Sequence, residues 1–234
     1  MSFIPGLVAA LAVLAGAGGP AHLSFPTLDG GVVHADLYGT GERGVVLVHG
    51  GRFDKESWAK QAESLAEAGF RALAIDLRGH GESRGGPGAG AGERADLDVL
   101  AAVRHLRSSG ATSVSVVGGS FGGWAAARAA VQSEEGEIDR LVLLAASPIE
   151  EPERLRGRKL FIVSRGDVIG SGTLRLPGIR DQYERATEPK ELVILEGSAH
   201  AQHIFGTDQG ERLMGEILRF LTDSREASGP SCAR

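Results

Sequence analysis

At 234 residues, the chain is long enough for one sizeable domain that buries roughly 70% of its unfolded surface, so a rigid site needs neither disulfides nor metals. Its formal net charge is −5 and its basic residues are dispersed along the sequence, which argues against nucleic acid as a partner. The single cysteine, Cys232, excludes an intramolecular disulfide and a metal site built from several cysteines.

The N-terminal segment 1–21, MSFIPGLVAALAVLAGAGGPA, carries no charged side chain, and the small residues Ala15 and Ala17 resemble a cleavage site. This pattern favours a signal peptide over residues 1–17 and export to the periplasm or the medium. No Lys or Arg precedes the apolar run, so three alternatives stay open: a retained N-terminal helix on a cytoplasmic protein, a misplaced start, and a membrane anchor. Glycine and proline make it a poor spanning helix, so no stable membrane association is expected.

From residue 22 onward, short β-branched runs alternate with longer amphipathic runs, which predicts an α/β fold with a mostly parallel, eight-stranded sheet flanked by helices. The predicted strands are 22–25, 32–38, 44–50, 71–76, 113–118, 140–146, 159–164 and 191–197, the first two forming an antiparallel pair. The predicted helices are 57–68, 93–108, 121–132, 178–187 and 209–221. The domain therefore covers 22–223, and 224–234 is a polar tail expected to be disordered. Only the short segment between Ala146 and Lys159 leaves room for a lid, so no sizeable cap domain is expected.

Ser120 lies in the stretch VVGGSFGGWAA, between a predicted strand and a predicted helix. Gly118 and Gly122 complete the pattern G-x-S-x-G, which at a strand-to-helix junction indicates a nucleophilic serine on a sharp, strained turn. Side chains at these two positions would collide with the adjacent strand and helix, so glycine is expected there. The alternative interpretation is a tight turn in which the hydroxyl of Ser120 caps the following helix.

A nucleophilic serine needs a base to accept its proton, and the base needs a carboxylate to fix its tautomer. Both groups are expected at later strand ends, in the order serine, acid, histidine. Asp167 follows a predicted strand in FIVSRGDVIGSG, and His200 follows another in VILEGSAHAQHIF. Sheets of this class place their sites at the carboxyl ends of the strands. We therefore predict a catalytic triad of Ser120, His200 and Asp167.

Other residues compete for these roles. His203 is a second candidate for the base, although it falls at the start of the next element, and the loop position favours His200. Asp181 and Asp139 are alternatives to Asp167, but neither sits at a strand end that points toward the site. Asp167 itself has a structural interpretation, because an aspartate before a bend often caps its own backbone.

Acyl transfer also needs backbone N–H donors for the developing oxyanion. The amide of Phe121 directly follows the nucleophile at a helix N-terminus, where the helix dipole favours negative charge. The second donor is expected in the loop after strand 44–50, whose sequence is His49-Gly50-Gly51-Arg52. Either Gly51 or Arg52 fits, and the sequence does not distinguish them.

Five motifs now stand in order: VLVHGGRFDKESW, AIDLRGHGES, GGSFGG, the Asp after SRG and the His after GSA. Together they resemble the α/β-hydrolase superfamily over residues 22–221. The resemblance implies that His49 braces the oxyanion loop and that the D-x-R-G-x-G-x-S stretch shapes a turn beside the site. That stretch comprises Asp76, Arg78, Gly79, Gly81 and Ser83. Many members carry a helical lid domain after the sixth strand, and its absence here favours small soluble acyl substrates in an open cleft.

The simplest expected activity is hydrolysis of small carboxylic esters by a serine esterase through an acyl-enzyme, with no metal ion and no organic cofactor. A thioesterase, amidase or peptidase with the same triad is the alternative, as is a non-catalytic binding module on the same fold. The sequence indicates no oligomeric state.

Four residues are candidates for lining a substrate pocket. Each is equally compatible with the hydrophobic core, because aromatic residues at helix starts usually pack inward. They are Phe53, Trp124, Ile149 and Ile169. Trp58 is interpreted as a packing residue of its helix. Arg52 and Lys55 near the mouth, with Arg165 near the acid, suggest a tolerance for anionic substrates.

Overall fold

The computed structural model describes residues 19–88, 90 and 92–223. Residues 1–17 and 224–234, for which we predict a signal peptide and a disordered tail, lie outside these described residues. None of the helices in the described part of the chain combines the length and the apolarity that a membrane span requires.

The strands form one eight-stranded sheet in the order β1-β2-β4-β3-β5-β6-β7-β8. The strands are β1 (Ala21–Pro26), β2 (Val32–Tyr38), β3 (Arg43–Val48), β4 (Phe70–Ile75), β5 (Ser113–Gly119), β6 (Arg140–Leu144), β7 (Arg158–Ser164) and β8 (Lys190–Leu195). Strand β2 is antiparallel to both β1 and β4, and all pairs from β4 to β8 are parallel. The predicted α/β class and the mostly parallel, eight-stranded sheet are thereby confirmed.

Helices cover both faces of the sheet because its central strands are apolar on both sides. The helices are α1 (Ala59–Glu67), α2 (Ala95–Ser108), α3 (Phe121–Gln132), α4 (Leu176–Arg185) and α5 (Gly210–Thr222). On β3, Val46 and Val48 join a core with α2, α3 and α4. Val45 and Leu47 point the other way and join a second core with α1 and α5. The sheet is thus held rigidly from both sides, and its carboxyl edge is left to the loops.

Several boundaries differ from the predicted ones at that edge. The predicted strand 140–146 ends at Leu144, because Ala145 has a φ of 48° and leaves the extended conformation. The predicted strand 191–197 ends at Leu195. The predicted helix 57–68 begins as a 3₁₀ turn at Lys55–Trp58 and becomes α-helical only at α1.

No sizeable cap domain interrupts the described part of the sheet, as predicted. The segment between β6 and β7 holds one short 3₁₀ helix, Pro152–Arg154. A second excursion, between β7 and α4, was not anticipated from the sequence. It is a small hairpin closed by an antiparallel bridge between Val168 and Leu174, and it lies directly after the predicted triad acid.

Candidate active site

Ser120 occupies a strained turn between β5 and α3. Its φ of 52° and ψ of −116° are unusual for a residue with a Cβ, and its N–H donates to the carbonyl of Leu144 at 2.8 Å. A Cβ at Gly118 would lie 2.5 Å from the carbonyl oxygen of Gly122, and one at Gly122 would lie 2.4 Å from that of Val48. The steric reason predicted for both glycines is therefore confirmed. The hydroxyl makes no helix-capping hydrogen bond, so the capping interpretation is wrong.

The structure brings the three predicted triad residues into one hydrogen-bonded line. The distance from Ser120 Oγ to His200 Nε2 is 2.7 Å, and that from His200 Nδ1 to Asp167 Oδ2 is also 2.7 Å. Asp167 is fully buried, whereas the side chain of His200 is 29% exposed. The line therefore runs from the interior to an accessible hydroxyl, with Nε2 placed to receive a proton from Ser120.

The competing residues lie elsewhere. The ring of His203 packs against that of Phe53, with centroids 5.1 Å apart. Asp181 is exposed on α4 and lies near Arg185. Asp139 accepts a hydrogen bond from the backbone N–H of Val114, at the opposite end of the sheet. Among the described candidates, only His200 contacts the hydroxyl of Ser120, and only Asp167 contacts His200.

The predicted oxyanion donors lie at the start of α3 and in the loop after β3. The N–H of Gly50 donates to Gln202 Oε1 at 2.7 Å, and the N–H of Phe53 donates to the carbonyl of Gly50 at 3.0 Å. Within the described residues, the N–H groups of Gly51 and Arg52 have no such acceptor. A Cβ at Gly51 would lie 3.5 Å from that of Phe121, so this loop lies against the residue that follows the nucleophile. Gly51 and Arg52 both stay candidates for the second donor.

Gln202 links the two loops, and the sequence analysis missed it. Besides accepting from Gly50, its side-chain amide donates from Nε2 to Ser57 Oγ at 2.7 Å. Its Oε1 also lies 3.2 Å from the position of a Cβ on Gly119. Gln202 is buried and lies two residues after His200, so it ties the loop that carries His200 to the loop after β3. The burial of this amide is visible only in the structure, where such groups are normally hydrogen-bonded.

His49 braces the loop after β3, as the resemblance implied. Its Nδ1 lies 2.8 Å from the carbonyl oxygen of Gly50, and its Nε2 accepts the N–H of Leu77 at 3.0 Å. Nδ1 must therefore carry the proton, and the imidazole is neutral. Burial lowers the pKa of His49 to about 4. The ring is a structural link between the loop after β3 and the end of β4.

The D-x-R-G-x-G-x-S stretch folds into a turn around the buried carboxylate of Asp76. That carboxylate accepts the backbone N–H of Lys55 at 2.8 Å and its ammonium at 3.0 Å. A Cβ at Gly81 would lie 2.0 Å from Asp76 Oδ2, so glycine is required there. Ser83 Oγ accepts the N–H of His34 at 2.8 Å and ties the turn to β2.

Arg78 completes this turn through two carboxylates. Its guanidinium contacts Asp98 through Nε at 3.0 Å and Nη2 at 2.7 Å, and Asp29 through Nη1 at 2.7 Å and Nη2 at 3.3 Å. Nη1 also donates to the carbonyl of Glu93 at 3.2 Å. All five guanidinium N–H groups therefore have acceptors. The hydrogen bond from Arg78 holds the pKa of Asp29 well below its usual range.

The predicted tolerance for anionic substrates is not supported by Lys55 and is only weakly supported by Arg165. Lys55 is buried against Asp76 rather than presented to substrate. Arg165 is exposed but pairs with Glu196 at 3.1 Å. Arg52 is exposed in the oxyanion loop. The position of Lys55 could not be read from the sequence, because its partner Asp76 lies 21 residues further on. A buried carboxylate such as Asp76 needs a cation beside it.

The four predicted pocket residues do not form one pocket, and only Trp124 and Ile149 line the same cavity. Phe53 lies in the loop after β3, beside the ring of His203. Trp124 stacks on Phe121 with centroids 5.5 Å apart and, with Ile149, lines a cavity of about 500 Å³ beside α3. Ile169 lines a different cavity, near Asp167. Trp58 is buried against Phe205, as a packing residue should be.

An eight-stranded, mostly parallel sheet with a hydrogen-bonded Ser-His-Asp line at its carboxyl edge has the architecture of an α/β hydrolase. The sequence pattern of the Alpha/beta hydrolase family matches residues 45–221, and the chain belongs to this family. Esterase Pf2001 from Pyrococcus furiosus has the same fold, with a TM-score of 0.71 and 18% identity over 93% of this chain and 96% of that chain.

Two curated relatives are similar in sequence. ABHD14B from Rattus norvegicus, whose name describes a protein-lysine deacylase, is 29% identical over 185 residues, covering 76% of this chain and 83% of that protein. A non-heme haloperoxidase from Rhodococcus erythropolis is 34% identical over 125 residues, covering 51% of this chain. This chain matches only about two fifths of the length of the haloperoxidase. The family and these relatives indicate a hydrolase, while the names of the relatives describe different reactions.

Proposed function

We propose that the chain hydrolyses small carboxylic esters through an acyl-serine intermediate. The observation that supports this most directly is the line from Ser120 to His200 to Asp167, with two contacts of 2.7 Å on a turn that exposes the hydroxyl. Membership of the Alpha/beta hydrolase family and the esterase among the structures with the same fold support the same chemistry. The triad needs no metal ion or organic cofactor for this reaction.

In the acylation step, Ser120 Oγ attacks the ester carbonyl carbon while His200 Nε2 takes the hydroxyl proton. The carbonyl electron pair moves to oxygen, and the amides of Phe121 and of Gly51 or Arg52 hold the oxyanion. When the intermediate collapses, the bond to the alcohol oxygen breaks and His200 gives it the proton. The alcohol leaves, and the acyl group stays on Ser120.

Deacylation repeats the sequence with water. His200 takes a proton from water as its oxygen attacks the acyl carbon, and the proton returns to Ser120 Oγ when that oxygen leaves. Asp167 accepts the Nδ1–H of His200 throughout, which keeps Nε2 facing the serine and stabilises the imidazolium. The carboxylic acid is released, and the site returns to its starting state.

The test is a series of p-nitrophenyl esters, from acetate to dodecanoate, hydrolysed by the protein and by Ser120→Ala. We expect turnover of the short esters and a loss of about 10³-fold or more in the variant. Ser113→Ala, at the opposite end of β5, is the matched control and should keep full activity. Equal rates with and without the Ser120 hydroxyl would overturn the proposal. Labelling by a fluorophosphonate, which needs an activated serine, distinguishes an enzyme from a binding module.

Amide hydrolysis of an acylated lysine is the second candidate. It is favoured by the similarity to ABHD14B, which extends over 83% of that protein and whose name describes a protein-lysine deacylase. The same triad serves, because only the leaving group changes from an alcohol to an amine. An Nε-acetyl-lysine peptide assayed beside p-nitrophenyl acetate decides between the two. Cleavage of the peptide with Ser120-dependent kcat/KM above that of the ester would replace the first candidate by the second.

A further inference from the structure

A cavity of about 550 Å³ lies beside the triad acid, and its walls are mostly apolar. Its lining includes Ala146, Ile169, Leu174, Arg175, Pro177 and Ile179. This volume falls within the range of small-molecule sites. Among the described residues that line it, Arg175 is the only charged one.

The cavity is next to the reacting groups on two sides. Ala146 lies two residues after Leu144, whose carbonyl accepts the N–H of Ser120. Arg175 lies against Asp167, with 3.4 Å between its Nε and Asp167 Oδ1, and its own N–H donates to the carbonyl of Asp167 at 2.9 Å. The cavity therefore adjoins the segment that follows β6 on one side and the triad acid on the other.

The guanidinium of Arg175 is incompletely satisfied. Its Nε is buried and lacks a hydrogen bond of good geometry, and no described acceptor bonds its terminal nitrogens. Its side chain is only 18% exposed. Arg78 shows the contrast, since two carboxylates and a carbonyl satisfy all its donors. Among the described acidic residues, Arg175 contacts only the carboxylate of Asp167, through Oδ1, and the other oxygen of that carboxylate, Oδ2, accepts a hydrogen bond from His200.

The hairpin that flanks the cavity is unusually apolar at its surface. Val168, Ile169 and Leu174 are 46%, 40% and 47% exposed, and the described residues hold only one other exposed large hydrophobic side chain, Leu28. Apolar surface of this kind, gathered at the mouth of a cavity, indicates a ligand with an aliphatic part.

We propose that this cavity binds the acyl group of an ester whose aliphatic chain ends in a carboxylate, and that Arg175 binds that carboxylate. The inference rests on the proposed esterase function and names its substrate class. The methylene chain packs against Ile169, Leu174 and Ile179. The planar guanidinium matches a carboxylate with two parallel N–H donors, as Arg78 does within this chain.

The experiment compares two series of p-nitrophenyl esters of equal chain length. One series is the hexanoate, heptanoate and octanoate, and the other is the half-esters of adipate, pimelate and suberate, which add only a terminal carboxylate. The quantity measured is the ratio of kcat/KM for the anionic ester to that for its neutral counterpart. We expect this ratio to exceed ten in the unmodified protein for at least one chain length.

Arg175→Gln should lower this ratio by about 10- to 100-fold, as expected for the loss of charge-assisted hydrogen bonds. The variant also changes the surroundings of Asp167, so the rates on both esters are expected to fall together, and the ratio removes that shared effect. Arg165→Gln is the matched control: it deletes an equal charge near the acid, but from a side chain paired with Glu196 outside the cavity. Its ratio should stay unchanged.

Three results separate the two proposals. A ratio near or below one at every chain length in the unmodified protein overturns the inference and leaves the esterase function standing, and this result needs no variant to fold. An equal ratio in Arg175→Gln and Arg165→Gln also overturns it. Absence of any ester hydrolysis that depends on Ser120 overturns the proposed function itself.

Discussion

Two polar clusters lie at the carboxyl edge of the sheet, and they differ in how completely the protein satisfies them. The turn cluster consists of Asp29, Lys55, Asp76, Arg78 and Asp98, and its charges are paired with one another and with backbone groups. The triad cluster consists of Ser120, Asp167, Arg175 and His200. There the pairing ends at a partly exposed hydroxyl and at a guanidinium with unused donors.

We interpret this difference as one between groups that hold the fold and groups that, under the proposed function, act on a ligand. A buried charge without partners costs several kcal/mol, so the closed network of the turn cluster is what its burial requires. Hydrogen-bond donors without a protein partner add no hydrogen bond to the folded state, and under the proposed function they are the groups that bind substrate. Equivalent substitutions in the two clusters should therefore have opposite consequences, one in activity and the other in stability.

The largest effect is expected for Asp167→Asn. An amide in place of this carboxylate can donate to Nδ1 and favour the tautomer with its proton on Nε2, which cannot accept the proton of Ser120. We expect kcat on a short ester to fall by about 10⁴-fold. The measurement is steady-state kinetics on protein whose folded fraction is checked by urea denaturation. A variant that kept a tenth of the activity would show that Asp167 does not orient His200.

The same change in the turn cluster, Asp98→Asn, should act on stability instead. Asp98 is fully buried and accepts both the backbone N–H and the guanidinium of Arg78. Its neutralisation leaves a buried guanidinium partly unpaired, so we expect the free energy of unfolding to fall by about 3–5 kcal/mol. Urea denaturation at pH 7 measures it.

The activity of the folded Asp98→Asn protein should stay within a few-fold of the original. A large loss of activity at unchanged stability would place Arg78 and Asp98 among the groups that act on substrate. That outcome would remove the distinction between the two clusters.

His49 lies between the clusters and should make stability depend on pH. Its pKa is about 4 in the folded protein against 6.5 for an unperturbed histidine, so between these values the unfolded chain binds a proton that the folded protein does not. The contribution of His49 to the free energy of unfolding is therefore complete above pH 6.5. It is lost as the pH drops toward 4, and the loss amounts to about 3 kcal/mol. Urea midpoints at pH 7, 5.5 and 4.5 measure the loss.

The control for this effect is His49→Gln, which has no titrating ring. It should be less stable at pH 7, since it replaces a well-bonded buried imidazole, and its midpoint should change less between pH 7 and 4.5. A slope as steep as that of the original protein would assign the acid sensitivity to other groups.

The sequence predicted those parts of the site that depend on local sterics and on strand ends. Ser120 was found because the glycines around it are required within a few residues, and His200 and Asp167 because parallel strands end at one edge. Gln202 and Arg175 were missed because their roles arise from pairings that local patterns do not encode. Gly50 and Gln202, for example, are 152 residues apart. The prediction that Lys55 lies at the mouth is wrong for the same reason, because its burial depends on a pairing with the distant residue Asp76.

Gln202 offers the smallest expected effect and the finest test of the triad cluster. It orders the loop after β3, which carries the proposed second oxyanion donor, through hydrogen bonds to Gly50 and Ser57, each worth about 1 kcal/mol. Gln202→Ala frees that loop without touching the triad, so we expect kcat on a short ester to fall about tenfold with little change in KM. Steady-state kinetics with p-nitrophenyl acetate measure the two parameters separately.

A merely structural role for Gln202 predicts a different result. Stability would then fall while kcat per folded molecule stayed constant. Ser57→Ala is the matched control, because it removes the partner of Nε2 and leaves the hydrogen bond to Gly50 in place. If Gln202 acts by positioning the oxyanion donors, Ser57→Ala should reduce kcat less than Gln202→Ala does. Equal losses would mean that the link to Ser57, rather than the contact with Gly50, sets the geometry of the loop.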